Sequence, residues 1–202
     1  MKLPFLASFI IFIMVLTHRI HRQRNQEAAN ERSFWKNEQA ANSVRRKPLD
    51  KLEYIHIPMD KLPTHLMTEN EIVADCLDTL NGLTDKKIVN FTGYTNTELK
   101  FEYGTANIEQ LSAYDQNYTI AVTTLQKWAD ELWAADYKSE AVSIMEFAVS
   151  TRTDISRTYY KLAEYYKSNG QADKIKLLLD TAETLRSANK GSIVRTLQKS
   201  CQ

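Results

Sequence analysis

Leu125-Gln126-Lys127-Trp128-Ala129-Asp130-Glu131-Leu132 is answered 34 positions later by Tyr159-Tyr160-Lys161-Leu162-Ala163-Glu164-Tyr165-Tyr166. The correspondence continues: Asp136, Ala141, Met145 and Ala148 are followed at the same interval by Gly170, Ile175, Leu179 and Ala182. Most of these pairs are large apolar or aromatic at both positions, or alanine at both. Within each copy the apolar residues fall three and four apart, the spacing that gives a helix one buried face. The stretch therefore predicts two helical hairpins of one design and an all-α fold. Helices are expected over residues 116–134, 139–150, 154–169 and 171–186, with Asp115 and Asp154 as caps and Gly170 as a stop. Ile193 and Leu197 keep the interval from Tyr159 and Ala163, so residues 192–200 predict a fifth, closing helix. Alanines at 129, 141, 148, 163 and 182 let helices approach closely, and Trp128, Leu132, Leu162 and Tyr166 read as core.

This interval and order of residue types resemble the tetratricopeptide repeat, a helix-turn-helix unit of 34 residues. The resemblance covers residues 122–202. It departs from the pattern in having Asp136 where the first inter-helix turn takes glycine, and in lacking proline at either repeat end. Only two full repeats are visible, and residues 68–111 are expected to supply a divergent layer that completes the stack. The whole chain also resembles membrane-anchored bacterial proteins, a likeness that implies no function. In the repeat family the first helix of each unit lines a concave docking surface for a peptide or protein. Carried over by position, the resemblance implies that Thr123, Gln126, Asp130, Trp133, Arg157, Tyr160, Glu164 and Lys167 bind the partner. The residues that grip a ligand carboxylate in chaperone-binding members are absent, since Gln126/Tyr160 and Asp130/Glu164 stand there. The alternative reading of these eight residues is an ordinary solvated helix face.

The 202 residues carry a formal net charge of +1. Residues 1–47 hold nine Lys+Arg and three Glu, whereas the remainder is net acidic. That asymmetry predicts a basic segment near an anionic surface and an acidic body in water, with no nucleic-acid partner. Residues 3–17 are uncharged and rich in Phe, Ile, Leu and Val. As a helix they span about 22 Å against roughly 30 Å of hydrocarbon, reaching about 27 Å if Ile20 is included. Arg19, Arg22 and Arg24 follow at once, where a cleaved leader would place small residues. The expectation is an uncleaved, single-pass membrane anchor with the amino terminus outside and the body cytoplasmic, because basic flanks stay inside. Asn90-Phe91-Thr92 and Asn117-Tyr118-Thr119 then read as chance glycosylation matches.

Residues 23–46 lack Pro and Gly and read as a polar helix continuing from the anchor. Phe34 and Trp35 are its main apolar content. Either they dip into the lipid interface, or they pack on the body beside a solvated spacer. Pro48 is expected to end this helix, and residues 48–67, with Pro58 and Pro63, to form an extended strap laid in a groove. Thr68-Glu69-Asn70-Glu71 and Thr95-Asn96-Thr97-Glu98 read as capping boxes, opening helices that stop at Gly82 and Gly104. The expected organisation is a transmembrane anchor (1–20), a basic juxtamembrane helix (21–47), the strap (48–67), the divergent helical layer (68–114) and the repeat body (115–202).

Catalytic chemistry is not legible. The four histidines, at 18, 21, 56 and 65, precede the repeats, and no Ser/His/Asp or Cys/His grouping can be assembled. Cys76 and Cys201 lack a CxxC spacing and read as thiols in a reducing compartment. No phosphate-cradling glycine loop, metal-ligand spacing or cofactor motif is present. The string Asn90-Phe91-Thr92-Gly93-Tyr94-Thr95-Asn96-Thr97 is dense in hydrogen-bonding side chains and reads either as a binding loop or as turn and cap chemistry. The expected function is a non-enzymatic module that recruits a peptide or protein at the membrane. The alternative is a structural subunit packed permanently on another membrane protein.

Overall fold

A computed structural model describes residues 3–200, with side chains from residue 8 onward. Eight α-helices and one short 3-10 turn make up its regular structure, and no strand occurs among the described residues. The helices are α1 (Leu3–Asn42), α2 (Glu71–Asn81), α3 (Asn96–Tyr103), α4 (Ile108–Ala134), α5 (Lys138–Ser150), α6 (Ser156–Ser168), α7 (Ala172–Glu183) and α8 (Lys190–Ser200). The chain forms two compact units. One comprises residues 1–47 and 96–106, the other 48–95 and 107–202.

In the first unit α1 is a single unbroken helix of 40 residues, about 60 Å long at 1.5 Å per residue. Side chains 8–16 are all exposed, including Phe9, Ile11, Phe12 and Met14. Among the described residues no helix is long and apolar enough to cross a membrane. The expected anchor, residues 1–20, begins in residues 1–7, whose side chains lie outside the described residues. Phe34 and Trp35 are 54% and 61% exposed and pack on each other, ring centroids 5.5 Å apart. The helix ends at Asn42, not at Pro48, and leaves through turns closed by Ser43 N–H to Ala40 O and Val44 N–H to Ala41 O. Its last turns are clamped to α3. Lys100 and Thr97 both donate to the Glu38 carboxylate, and those two bonds hold that carboxyl below its ordinary value. The Thr105 hydroxyl donates to Ala41 O, and the Lys47 N–H donates to Tyr103 O.

The second unit holds the core, built from α2, the strap and α4–α8. The hairpins α4–α5 and α6–α7 turn at positions 34 residues apart, although α4 has 27 residues and α6 has 13. Helices end at Ala134 and Ser168, restart at Lys138 and Ala172, and α6 and α8 begin at Ser156 and Lys190. The turns match bond for bond. Asp136 and Gly170 adopt φ of 66° and 68°. Tyr137 N–H reaches Leu132 O, and Gln171 N–H reaches Tyr166 O. Asp136 N–H and Gly170 N–H bond to Trp133 O and Lys167 O, each at 3.2 Å. Trp128, Ala129, Leu132, Tyr159, Leu162, Ala163, Tyr166 and Ala182 are buried, as their spacing predicts. The closing helix α8 buries Ile193 and Leu197. Its residues Ser192, Thr196 and Ser200 stand 34 positions beyond Thr158, Leu162 and Tyr166, all of which are buried in α6. These polar side chains face back toward α6, where Ser192 and Thr196 lie beside the Tyr160 hydroxyl.

Three expected helix caps are not used as such. First, α4 begins at Ile108, so Asp115 lies inside a helix rather than capping one. Its carboxylate instead accepts the Phe91 N–H, and burial raises its pKa. Second, Thr68 does not cap α2. A turn closed by Asn70 N–H to Met67 O occupies that place, and the Asn70 side chain accepts from the Ile72 and Val73 amides. Third, Asp154 does not cap α6, whose entry residue is Ile155. The Asp154 carbonyl and carboxylate both face the amide of Asn189, at 3.2 and 3.4 Å. The strap has the expected irregular course, with Ile57, Leu62 and Pro63 buried and Ile55 N–H bonded to Ile88 O.

Candidate functional site

The face shared by α4, α6 and α8 carries all eight residues implied by the repeat resemblance. They divide into three groups. Gln126, Asp130 and Trp133 occupy successive turns of α4 and meet α6. Gln126 is only 8% exposed. Its carbonyl accepts the Thr158 hydroxyl and its amide donates to Asp130. Asp130 also takes Lys161 at 2.7 Å and Arg157 at 3.2 Å. The Lys161 ammonium sits 5.1 Å from the Trp133 ring centre, and Trp133 meets Tyr165 edge to face. Acid, two bases, amide and indole thus form a joint between the first helices of the two hairpins. A charge-assisted pair backed by a cation on an aromatic face fixes the angle of such a joint.

Tyr160 belongs to the second group. It is half-buried, and its hydroxyl lies among those of Thr196, Ser192 and Ser156 on α8 and α6, contacts that lower its pKa. The remaining residues, Thr123, Arg157, Glu164 and Lys167, are exposed. The Thr123 hydroxyl turns back to Thr119 O. Spacing placed Gln126 on this face but gave no sign that it would be withdrawn from it.

Residues 90–94 are used structurally. The Asn90 amide donates to Tyr118 Oη, Thr151 O and Arg152 O, at the exit of α5. Its own carbonyl accepts the Thr92 N–H. Two residues of the loop, Gly93 and Tyr94, then meet the equivalent exit of α7, 34 positions on. A Cβ on Gly93, whose φ is 83°, would stand 2.7 Å from Arg186 O, and the Arg186 guanidinium stacks 3.9 Å over the Tyr94 ring. The loop is a brace across corresponding corners of both hairpins, and the Asn90 side chain is spent on it. A shallow cleft of about 570 Å³ lies between the end of α7 and the start of α8, lined by Glu183, Ser187, Lys190, Gly191 and Val194. The Lys190 ammonium is held there by Glu183 O at 2.6 Å. Among the described residues no three His, Cys, Asp or Glu side chains gather around one point.

No protein family, curated protein or solved structure matches the chain.

Proposed function

We propose that this protein is a membrane-attached, non-enzymatic interaction module: a tetratricopeptide-like pair of hairpins that docks a peptide or protein partner at the cytoplasmic face. The observation that carries the reading is the duplicated turn, Asp136 and Gly170 at φ of 66° and 68° with the same bonds. Two stacked hairpins of one design present a graded surface, an arrangement suited to docking a partner. The docking surface is the exposed set Thr123, Arg157, Glu164 and Lys167 with the accessible edges of Trp133 and Tyr160. Gln126 and Asp130 stand behind it and set its curvature. The apolar amino-terminal run supplies membrane attachment, with the amino terminus directed toward the outer face and the basic flank on the cytoplasmic side.

Photo-crosslinking in intact cells tests this. A photoreactive residue at Thr123, Glu164 or Lys167 should give one adduct of the same mass from all three positions. The same residue at Leu177, exposed on α7, should give none. An identical adduct from Leu177, or none from the front face, rejects the surface. The second reading, a structural subunit, draws on the exposed Phe34–Trp35 pair. It requires co-purification in detergent that survives high salt and is lost in Phe34→Ala, Trp35→Ala. A transient peptide dock would not survive those conditions.

A further inference from the structure

Apolar and basic residues in α1 are segregated along the axis, not across it. Residues 9–16 are apolar at every position and exposed on every side. Only surroundings that enclose a helix all round satisfy such a segment, whereas a helix lying flat on lipid needs just one apolar face. Directly beyond come His18, Arg19, His21, Arg22 and Arg24, all exposed, with no acidic residue before Glu27. At about 100° per residue these five side chains point around the whole circumference, the widest gap being about 140° and holding Ile20. They form a collar, not a stripe.

From this, and resting on the membrane attachment proposed above, we infer that the collar binds the phosphates of anionic phospholipids and that α1 stands upright in the bilayer. The run of residues 3–17 enters the hydrocarbon for about 22 Å, and the arginines take up the phosphate plane. Arginine suits this position because its planar fork pairs with two phosphate oxygens at once. Because α1 is unbroken to Asn42, Trp35 is held about 20 Å above Arg22. That places the Phe34–Trp35 pair beyond the headgroups, where it cannot dip into lipid. The helix carries its own spacer, ending where Glu38 is clamped by Lys100 and Thr97.

The full-length chain is mixed with phosphatidylcholine vesicles, with and without phosphatidylglycerol, and floated. Each cation near an anionic surface is worth roughly fivefold, so three arginines should give about a hundredfold preference at low salt. The Arg19→Gln, Arg22→Gln, Arg24→Gln variant should lose that preference while binding neutral vesicles like the wild type. Equal binding of the wild type to both vesicles overturns the collar and leaves membrane attachment standing. An anionic preference that persists in the triple variant also overturns the collar. No flotation with either vesicle overturns attachment itself, and the collar with it. Orientation has its own readout. The native tryptophans are Trp35, Trp128 and Trp133, so bromine on the acyl chains should leave wild-type emission unchanged and quench a Phe12→Trp variant. Quenching in the wild type would mean that the helix lies flat.

Discussion

The hairpins α4–α5 and α6–α7 share an inter-helix turn and differ in most side chains. The turn bonds, the helix ends on either side of the turn and two buried alanines of each hairpin coincide after a shift of 34 residues. Yet Trp128 faces Leu162, Leu132 faces Tyr166, Asp130 faces Glu164 and Asp136 faces Gly170 across that shift. What is repeated is a set of buried positions and one turn conformation. Two unlike grips join the copies. One is the charged joint on Asp130, between α4 and α6. The other ties α5 to the second hairpin: the Tyr166 hydroxyl donates to Glu146, which also receives Lys174.

The largest contrast should lie in the core. Trp128 is fully buried and its indole N–H has no partner. Trp128→Ala should cost about 3–5 kcal/mol of unfolding free energy through the cavity it leaves. Trp128→Phe should cost much less, because no hydrogen bond is lost. Leu162→Ala, at the matching position, should cost about 2–5 kcal/mol. If Trp128→Ala proved milder than Leu162→Ala in chemical denaturation, the first hairpin would not be the better-filled copy. Next comes the joint. Asp130→Ala leaves Lys161 and Gln126 without their shared acceptor and should cost about 1–2 kcal/mol. Glu164→Ala, on an exposed position, should stay within about 0.5 kcal/mol. Equal effects would mean that both positions serve one role.

A reciprocal exchange at the turns sharpens the comparison further. Asp136 holds a left-handed conformation that glycine adopts without strain. Asp136→Gly should stabilise by up to about 1 kcal/mol, since the Lys138 pair it removes is solvent-exposed. A Cβ on Gly170 would meet nothing within 4 Å, so Gly170→Ala should cost only the conformational penalty, about 1 kcal/mol. Thermal midpoints shifting in opposite directions would support one shared turn; shifts of the same sign would refute it.

Sequence spacing was informative wherever the cause of a structure lay within a few residues. The interval of 34, the buried faces and the stop at Gly170 all follow from local periodicity and backbone preference. It failed where a side chain answered a distant partner. Asp115 has the chemistry of a cap but serves Phe91, and Asp154 turns to Asn189. Both look like helix starts because a capping signal does not say which amide the carboxylate will find. Gln126 lies on the predicted docking face, yet Thr158 and Asp130 draw it inward. Periodicity gives the direction of a side chain, not what covers it. In α1 the apolar run was plain from the outset. That α1 stops at Asn42, well ahead of Pro48, was not.

The smallest effect should come from the second hairpin's grip, and pH reads it. Burial acts to raise the Glu146 pKa, but the Tyr166 hydroxyl and the Lys174 ammonium outweigh it, so the carboxyl titrates below its ordinary value of 4.5. A lowered carboxyl binds protons less readily folded than unfolded. Its stabilisation is therefore complete above pH 4.5 and declines as pH falls through the lower folded value. Glu146→Gln keeps an acceptor for Tyr166 but loses the charge. Its urea midpoint should fall slightly below wild type at neutral pH, and the gap should close as the solution is acidified. The gain is small because the side chain is 42% exposed and solvent screens the pair. A gap that widened in acid would reverse the sign of the linkage, and the Tyr166–Glu146–Lys174 contact would then not be what ties α5 to the second hairpin.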